Sequence, residues 1–293
     1  MTMAAPELIE YTAPEDPSLD FCLWPYDPPA AAINKLRSLT LLMHTFELCG
    51  VAGPGREVVE ALRRGIGPFT TVWGVKWIDG QLKWEFYFYD YRRLQRERSM
   101  TRVFEVLRPL IPSRVTPNEG YPYFMFSIDF TVETLTGRAG FDEAHMYIGN
   151  PGSQVSSGIS YTVGANPEAN VLENFYFFFD AARQMKEVVG KAACSAYLEQ
   201  TAFPMDQVLW PELRNCQTLV VANKRYNDAV YFSRIDVNQL GVFFERLGYP
   251  ASLGAVVRNE RARLDHMLYD VGIDYRVERG AVRILKSGFY GVF

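Results

Sequence analysis

The feature that most narrows what this chain can become is a pair of alternating runs around an Asp-Gly dipeptide. Residues 70–77 and 82–91 alternate on either side of Asp79-Gly80. Asp-Gly between alternating runs is a strong hairpin signal, because the favoured two-residue turn needs positive φ at both positions. The device recurs. Runs at 123–132 and 144–149 make a second pair, and 157–164 with 171–180 a third around Ala165-Asn166-Pro167. Residues 218–225 and 229–235 flank Asn227-Asp228, and 268–277 with 281–290 flank Glu278-Arg279-Gly280. Apolar positions at helical spacing predict helices over 31–48, 56–64 (after the breaker Gly53-Pro54-Gly55), 96–110, 181–199, 237–247 and 253–264. Strands that come two at a time disfavour the parallel βαβ sheet. Ten antiparallel strands favour closure, which removes exposed edges. The expectation is an α+β chain whose five hairpins close into a ten-stranded antiparallel β-barrel surrounded by α-helices. An open sheet covered on one face is the rival layout. Residues 1–30, rich in proline and acid, are expected to form an extended N-terminal arm, and 31–293 a single domain.

Composition removes several function classes. With 30 basic against 34 acidic side chains and a formal charge of −4, the chain lacks the clustered positive surface that nucleic acid requires. Cys22, Cys49, Cys194 and Cys216 are scattered, as are His44, His145 and His266, so no zinc-ligand spacing occurs. No apolar run approaches the ~18 residues that span a bilayer, and the first residues lack a signal-peptide pattern. A soluble cytoplasmic protein with reduced thiols and no membrane insertion is expected. DDxxD, HExxH, GxSxG and GxGxxG are all absent, and no Gly-Lys-Ser/Thr follows the glycines near residue 50.

Aromatic residues make up 14% of the chain, with 17 Tyr and 20 Phe, and their alternation separates two faces. Trp84, Phe86 and Phe88 oppose Glu85, Tyr87 and Tyr89; Trp73, Val75 and Trp77 oppose Gly74 and Lys76. Phe124, Phe126, Ile128 and Phe130 oppose Tyr123, Met125, Ser127 and Asp129. Met146 and Ile148 oppose His145 and Tyr147, and Leu219 and Val221 oppose Val220, Ala222 and Lys224; Lys286, Gly288 and Tyr290 share a face. In a helix-coated barrel the apolar face turns outward and the other lines the interior. Repeated Tyr suits a lined cavity, with its apolar ring and hydrogen-bonding tip.

These residues resemble the ABBA-type (PT-barrel) aromatic prenyltransferases. The local echoes are Met125-Phe126-Ser127-Ile128-Asp129, Trp84-Glu85-Phe86, Val230-Tyr231-Phe232-Ser233 and Lys286-Ser287-Gly288-Phe289-Tyr290. The architectural likeness spans about residues 30–293, and only the connection at 150–156 is too short for the family's intervening helix. The resemblance implies transfer of an allylic prenyl group from a prenyl diphosphate to an electron-rich aromatic small molecule. It implies that Lys286 and Tyr290 bind diphosphate; parity adds Lys224 and Lys76, with Tyr231 beside them. Glu85 resembles a strand-borne acid close to the magnesium-diphosphate site of some members, and is the candidate catalytic carboxylate. Asn174 and Tyr176 resemble a lumenal pair, and His145 falls near a position that is lysine in some relatives. Tyr87 and Tyr147 complete the lining for the prenyl group and arene. No metal or other cofactor is required in this reading, although magnesium could stimulate through Glu85. Two other readings stay open: a non-catalytic barrel that binds an apolar aromatic ligand, and a different barrel enzyme using Glu85 and His145 as an acid–base pair.

Overall fold

A computed structural model describes residues 9–91, 96–149, 156–195 and 205–293. Ten strands run in chain order: β1 (Thr71–Ile78), β2 (Gln81–Tyr89), β3 (Met125–Phe130), β4 (Ala144–Gly149), β5 (Ser156–Val163), β6 (Val171–Asp180), β7 (Thr218–Lys224), β8 (Asp228–Ile235), β9 (Tyr269–Glu278) and β10 (Ala281–Val292). Each pairs antiparallel with its neighbours in sequence, and β1 pairs with β10, so the sheet closes on itself. The closed ten-stranded barrel with helices outside is the architecture expected from the alternating pairs, and the open sheet is excluded. Asp79 and Gly80 have φ of 48° and 77°, and Ile78 faces Gln81, giving the two-residue turn that the dipeptide encodes.

Among the described residues eight α-helices accompany the barrel: α1 (Leu39–Leu48), α2 (Ala52–Ile66), α3 (Met100–Leu107), α4 (Val132–Leu135), α5 (Met185–Ala193), α6 (Val237–Leu247), α7 (Ala251–Asn259) and α8 (Arg261–Leu264). Several differ from the expected bounds. Gly53-Pro54-Gly55 does not precede α2 but lies in its first turn, where position 54 needs no helical N–H donor, so proline loses nothing, and Gly55 N–H makes the first helical bond to the Val51 carbonyl. Gly55 is required there, because a β-carbon would sit 2.5 Å from the Phe46 ring of α1. Residues 31–38 are not helical, and α3 begins only at its Ser99 cap, whose side chain accepts from Arg102 N–H. Of the helix expected at 181–199 only Met185–Ala193 is helical, as α5; 181–184 form a turn, and its last four positions, like 150–155, lie outside the described residues. The short α4 was not anticipated; a Thr131–Thr134 capping box starts it. The long α6 matches expectation, bounded by the Asp236 capping box and the left-handed Gly248.

The outward strand faces form the main core. Trp73, Trp84, Phe86, Phe88, Phe126 and Phe130 are all fully buried among the helices. Trp84 also donates its indole N–H to Thr45 Oγ1 of α1 at 2.9 Å. Parity holds along every strand read this way except at the entry to β3. Tyr123 joins the outer core and Phe124 packs with the lumen cluster, the reverse of expectation. Both precede Met125, the first residue in register with β2; Phe124 N–H still donates to the Tyr147 carbonyl and its carbonyl accepts from Asp90 N–H, so the alternation breaks between Phe124 and Met125.

Candidate active site

The lumen is built in three layers, and the register places each. The middle layer is a ring of five tyrosines, one from each even-numbered strand: Tyr87, Tyr147, Tyr176, Tyr231 and Tyr290. Their ring centroids follow one another around the barrel at 6.4, 5.9, 6.4, 6.5 and 5.9 Å. The odd-numbered strands supply the space. Opposite each tyrosine stands a small residue: Ser127 for Tyr87, Ser160 for Tyr147, Ala222 for Tyr176, Gly272 for Tyr231 and Gly74 for Tyr290. A β-carbon on Gly74 would lie 2.8 Å from the Tyr290 ring, and one on Gly272 would collide with Tyr231. Alternating large and small residues is how a barrel interior is filled without strain. Burial pushes all five phenol pKa values up, so the ring is neutral at working pH.

Above the ring lies a charged layer around a cavity of about 240 Å³. All eleven residues singled out from the sequence line it: Glu85, Lys286, Lys224, Lys76, Tyr290, Tyr231, Tyr87, Tyr147, Asn174, Tyr176 and His145. The lysines and most of the carboxylates fall on different arcs, while Asp274 of β9 stands among the lysines. Lys224, Lys286 and Lys76 come from β7, β10 and β1, within one continuous arc of the barrel. Glu85, Asp129, His145 and Glu173 come from β2, β3, β4 and β6, the opposite arc. Lys224 and Lys286 share a single carboxylate, Asp274, at 2.8 and 3.4 Å. Lys224 also donates to the Tyr231 hydroxyl at 2.9 Å. Asp274 pulls the Lys286 pKa up, but Lys224, burial and Lys76 outweigh it, leaving Lys286 below the usual lysine value. Two cations thus share one carboxylate.

Lys76 is placed differently. It bridges Glu85 and Asp129, 2.6 Å from each. Glu85 accepts a further 2.5 Å hydrogen bond from Ser127 Oγ. Burial opposes the charge on both members, yet the attraction wins: Lys76 sits above the lysine range and Glu85 well below the carboxylate range. On the same arc as Glu85, His145 Nδ1 lies 2.9 Å from Glu173 Oε2. Burial lowers the His145 pKa, but Glu173, Asp129 and Glu85 raise it further, so its cationic form is favoured. Asn174 donates to Ser160 and to the Tyr176 hydroxyl, fixing that ring. Among the described residues, no group of three or more His, Cys, Asp and Glu side chains is placed to hold a metal ion.

Sequence reasoning missed Asp274 and Glu173, for different reasons. Asp274 shares a face of β9 with Asp270 and Gly272, so the period of two could have found it. Glu173 could not be found that way. On a regular strand it would face outward with Phe175, but Ser160 pairs with Asn174 and Tyr161 with Leu172, leaving Glu173 in a bulge. Bulges at barrel rims re-aim side chains in this manner.

Below the ring is an apolar chamber of about 160 Å³, walled by Tyr89, Phe124, Met125, Phe178 and Val220 among others. The same five tyrosines line both cavities, so the ring is the partition between them. The lumen thus offers cations, then π faces, then hydrocarbon surface along one axis.

No family model and no curated protein matches this sequence. Among solved structures, the chain is similar to the crystal structure of AnaPT from Neosartorya fischeri. That likeness covers 86% of this chain and 91% of the other, at 12% identity and a TM-score of 0.49.

Proposed function

We propose that this protein is an aromatic prenyltransferase that ionises an allylic diphosphate inside the tyrosine ring. One observation carries the reading: five tyrosine faces enclose a space with lysines on one side and apolar surface on the other. The C1–O bond of the donor breaks with its electron pair going to diphosphate, whose growing charge falls to Lys286 and Lys224, with Lys76, Tyr290 and Tyr231 completing that arc. The allylic cation is held by the π faces of Tyr87, Tyr147, Tyr176, Tyr231 and Tyr290, which also keep water from capturing it. The arene attacks C1 from the opposite arc, where Glu85 orients it and takes the proton that the arenium ion releases. Asn174 and His145 border the acceptor there.

The alternative, a barrel that carries an apolar aromatic ligand without reaction, has one observation in its favour: every lumenal lysine already has a carboxylate within 3.4 Å. Thermal unfolding separates the two. With dimethylallyl thiolodiphosphate or inorganic pyrophosphate at 100 times its dissociation constant, an enzyme of this kind gains ~2.7 kcal/mol of stability. The lysines make the diphosphate site, so the shift is expected to persist in EDTA. No shift with either compound favours the carrier, and a shift abolished by EDTA and restored by magnesium contradicts the roles given to the lysines.

A further inference from the structure

The lower chamber ends on the N-terminal arm rather than on the barrel. Residues 19–25 form a closed loop, with Leu19 bridged to Pro25 and Asp20 N–H donating to the Trp24 carbonyl at 3.0 Å. Asp20 Oδ1 accepts the N–H groups of Cys22 and Trp24, both at 3.0 Å, and Leu23 takes a left-handed φ of 56° to complete the turn. This loop is pinned inside the end of the barrel. Phe21 N–H donates to Asp270 Oδ2 at 2.8 Å, Arg234 Nε to Asp20 Oδ2 at 2.8 Å, and the Tyr91 hydroxyl to the Cys22 carbonyl at 2.7 Å. Arg234 reaches the loop because it sits in a bulge of β8 with φ of 66°. Asp20, Phe21, Cys22 and Trp24 of the loop all line the chamber, and the Phe21 ring lies 4.5 Å from Tyr290 and 5.2 Å from Tyr87.

Size decides what the chamber can hold. A dry apolar cavity of about 150 Å³ takes up a benzene molecule. At about 160 Å³ this chamber therefore has room for one hydrocarbon group of that order, the size of a single isoprene unit. A second isoprene unit would have to occupy the place of the Phe21 ring.

We propose that Phe21 is the residue that limits the length of the prenyl chain, admitting dimethylallyl and stopping geranyl. This rests on the reading above, in which diphosphate is held at the lysines and the hydrocarbon points down through the tyrosine ring. Phe21 lies on a loop outside the strands, so chain length is set by a segment that takes no part in the barrel's hydrogen-bonded ladder. Removing its ring frees a space of about benzene size without touching the charged layer.

The test measures binding of dimethylallyl and geranyl thiolodiphosphates, and kcat/KM for the corresponding diphosphates, with wild type, Phe21→Ala and Phe21→Leu. The ratio of geranyl to dimethylallyl is expected to rise ~10-fold or more in Phe21→Ala, the scale at which one change of fit in an apolar pocket discriminates substrates. Phe21→Leu shifts the ratio the same way by less, and gives the answer if the alanine variant does not fold. An unchanged ratio in a folded variant, or equal binding of both compounds by wild type, overturns the assignment of Phe21 alone. Failure of wild type to bind either compound overturns the prenyltransferase reading and this one with it.

Discussion

Lys286→Ala is expected to lower turnover of dimethylallyl diphosphate by ~100-fold or more, the loss typical of removing one preorganised donor from a developing oxyanion. Its position on β10 places it two residues before Gly288 and four before Tyr290, on the lumenal face. The effect falls on kcat because the leaving group gains charge only as the C1–O bond breaks. Stability should change little, since Lys224 remains 2.8 Å from Asp274 and no carboxylate is orphaned. The depressed pKa of Lys286 adds a second signature. Its charge is lost on the alkaline side sooner than that of an ordinary lysine, so affinity for inorganic pyrophosphate falls as pH rises, and this limb is absent in the variant. Tyr290→Phe removes one neutral hydrogen bond, worth about 1 kcal/mol, and has a smaller effect. Steady-state kinetics on folded protein decide the matter; unchanged turnover in Lys286→Ala places that lysine outside the site.

Lys76→Ala is expected to act chiefly on stability. Lys76 lies between Glu85 and Asp129 and is the nearest cation to Glu85, which is only 5% exposed. Removing one member of a buried pair leaves an uncompensated charge, costing about 3–5 kcal/mol. The pH dependence has a definite sign. In wild type the Glu85 pKa is depressed, so its contribution is present above the unfolded carboxylate value of about 4 and is lost as pH falls through the folded value. Without Lys76, burial is opposed chiefly by His145 and Lys286, so the Glu85 pKa rises from its depressed value. The penalty is then full at neutral pH and fades as falling pH protonates Glu85. The double variant Lys76→Ala/Glu85→Gln, which has no buried charge to strand, should recover much of the loss. Urea or thermal unfolding at two pH values measures this, and an equal loss with and without Glu85→Gln would show that the Lys76–Glu85 contact is not what stabilises the barrel.

How much could be read beforehand followed from how local the signal was. The Asp79-Gly80 turn is fixed by two adjacent residues, and the Tyr87, Tyr147, Tyr176, Tyr231 and Tyr290 faces by a period of two. Closure could be argued from strand pairing because an open sheet leaves edges exposed. Glu173 and Arg234 escaped because a bulge reverses the parity that the period assumes. Tyr123 and Phe124 escaped because a strand end is set by pairing, which composition does not show. Phe21 was hidden for a third reason. Proline and acid in the first thirty residues report that no helix forms there, but the contacts that seat Phe21 come from Asp270 and Arg234, more than 200 residues away in the sequence. The small residues opposite the tyrosines belong to the same category, since only the register pairs Gly272 with Tyr231.

The central claim is that diphosphate, cation and hydrocarbon are arranged along one axis through the tyrosine ring. A crystal structure with dimethylallyl thiolodiphosphate tests it most directly. The account predicts diphosphate oxygens within hydrogen-bond reach of Lys286 and Lys224, C1 enclosed by the five tyrosines, and the methyl groups directed towards Phe21. An analogue bound with its diphosphate against the Glu85, His145 and Glu173 arc, or in the lower chamber, would contradict it.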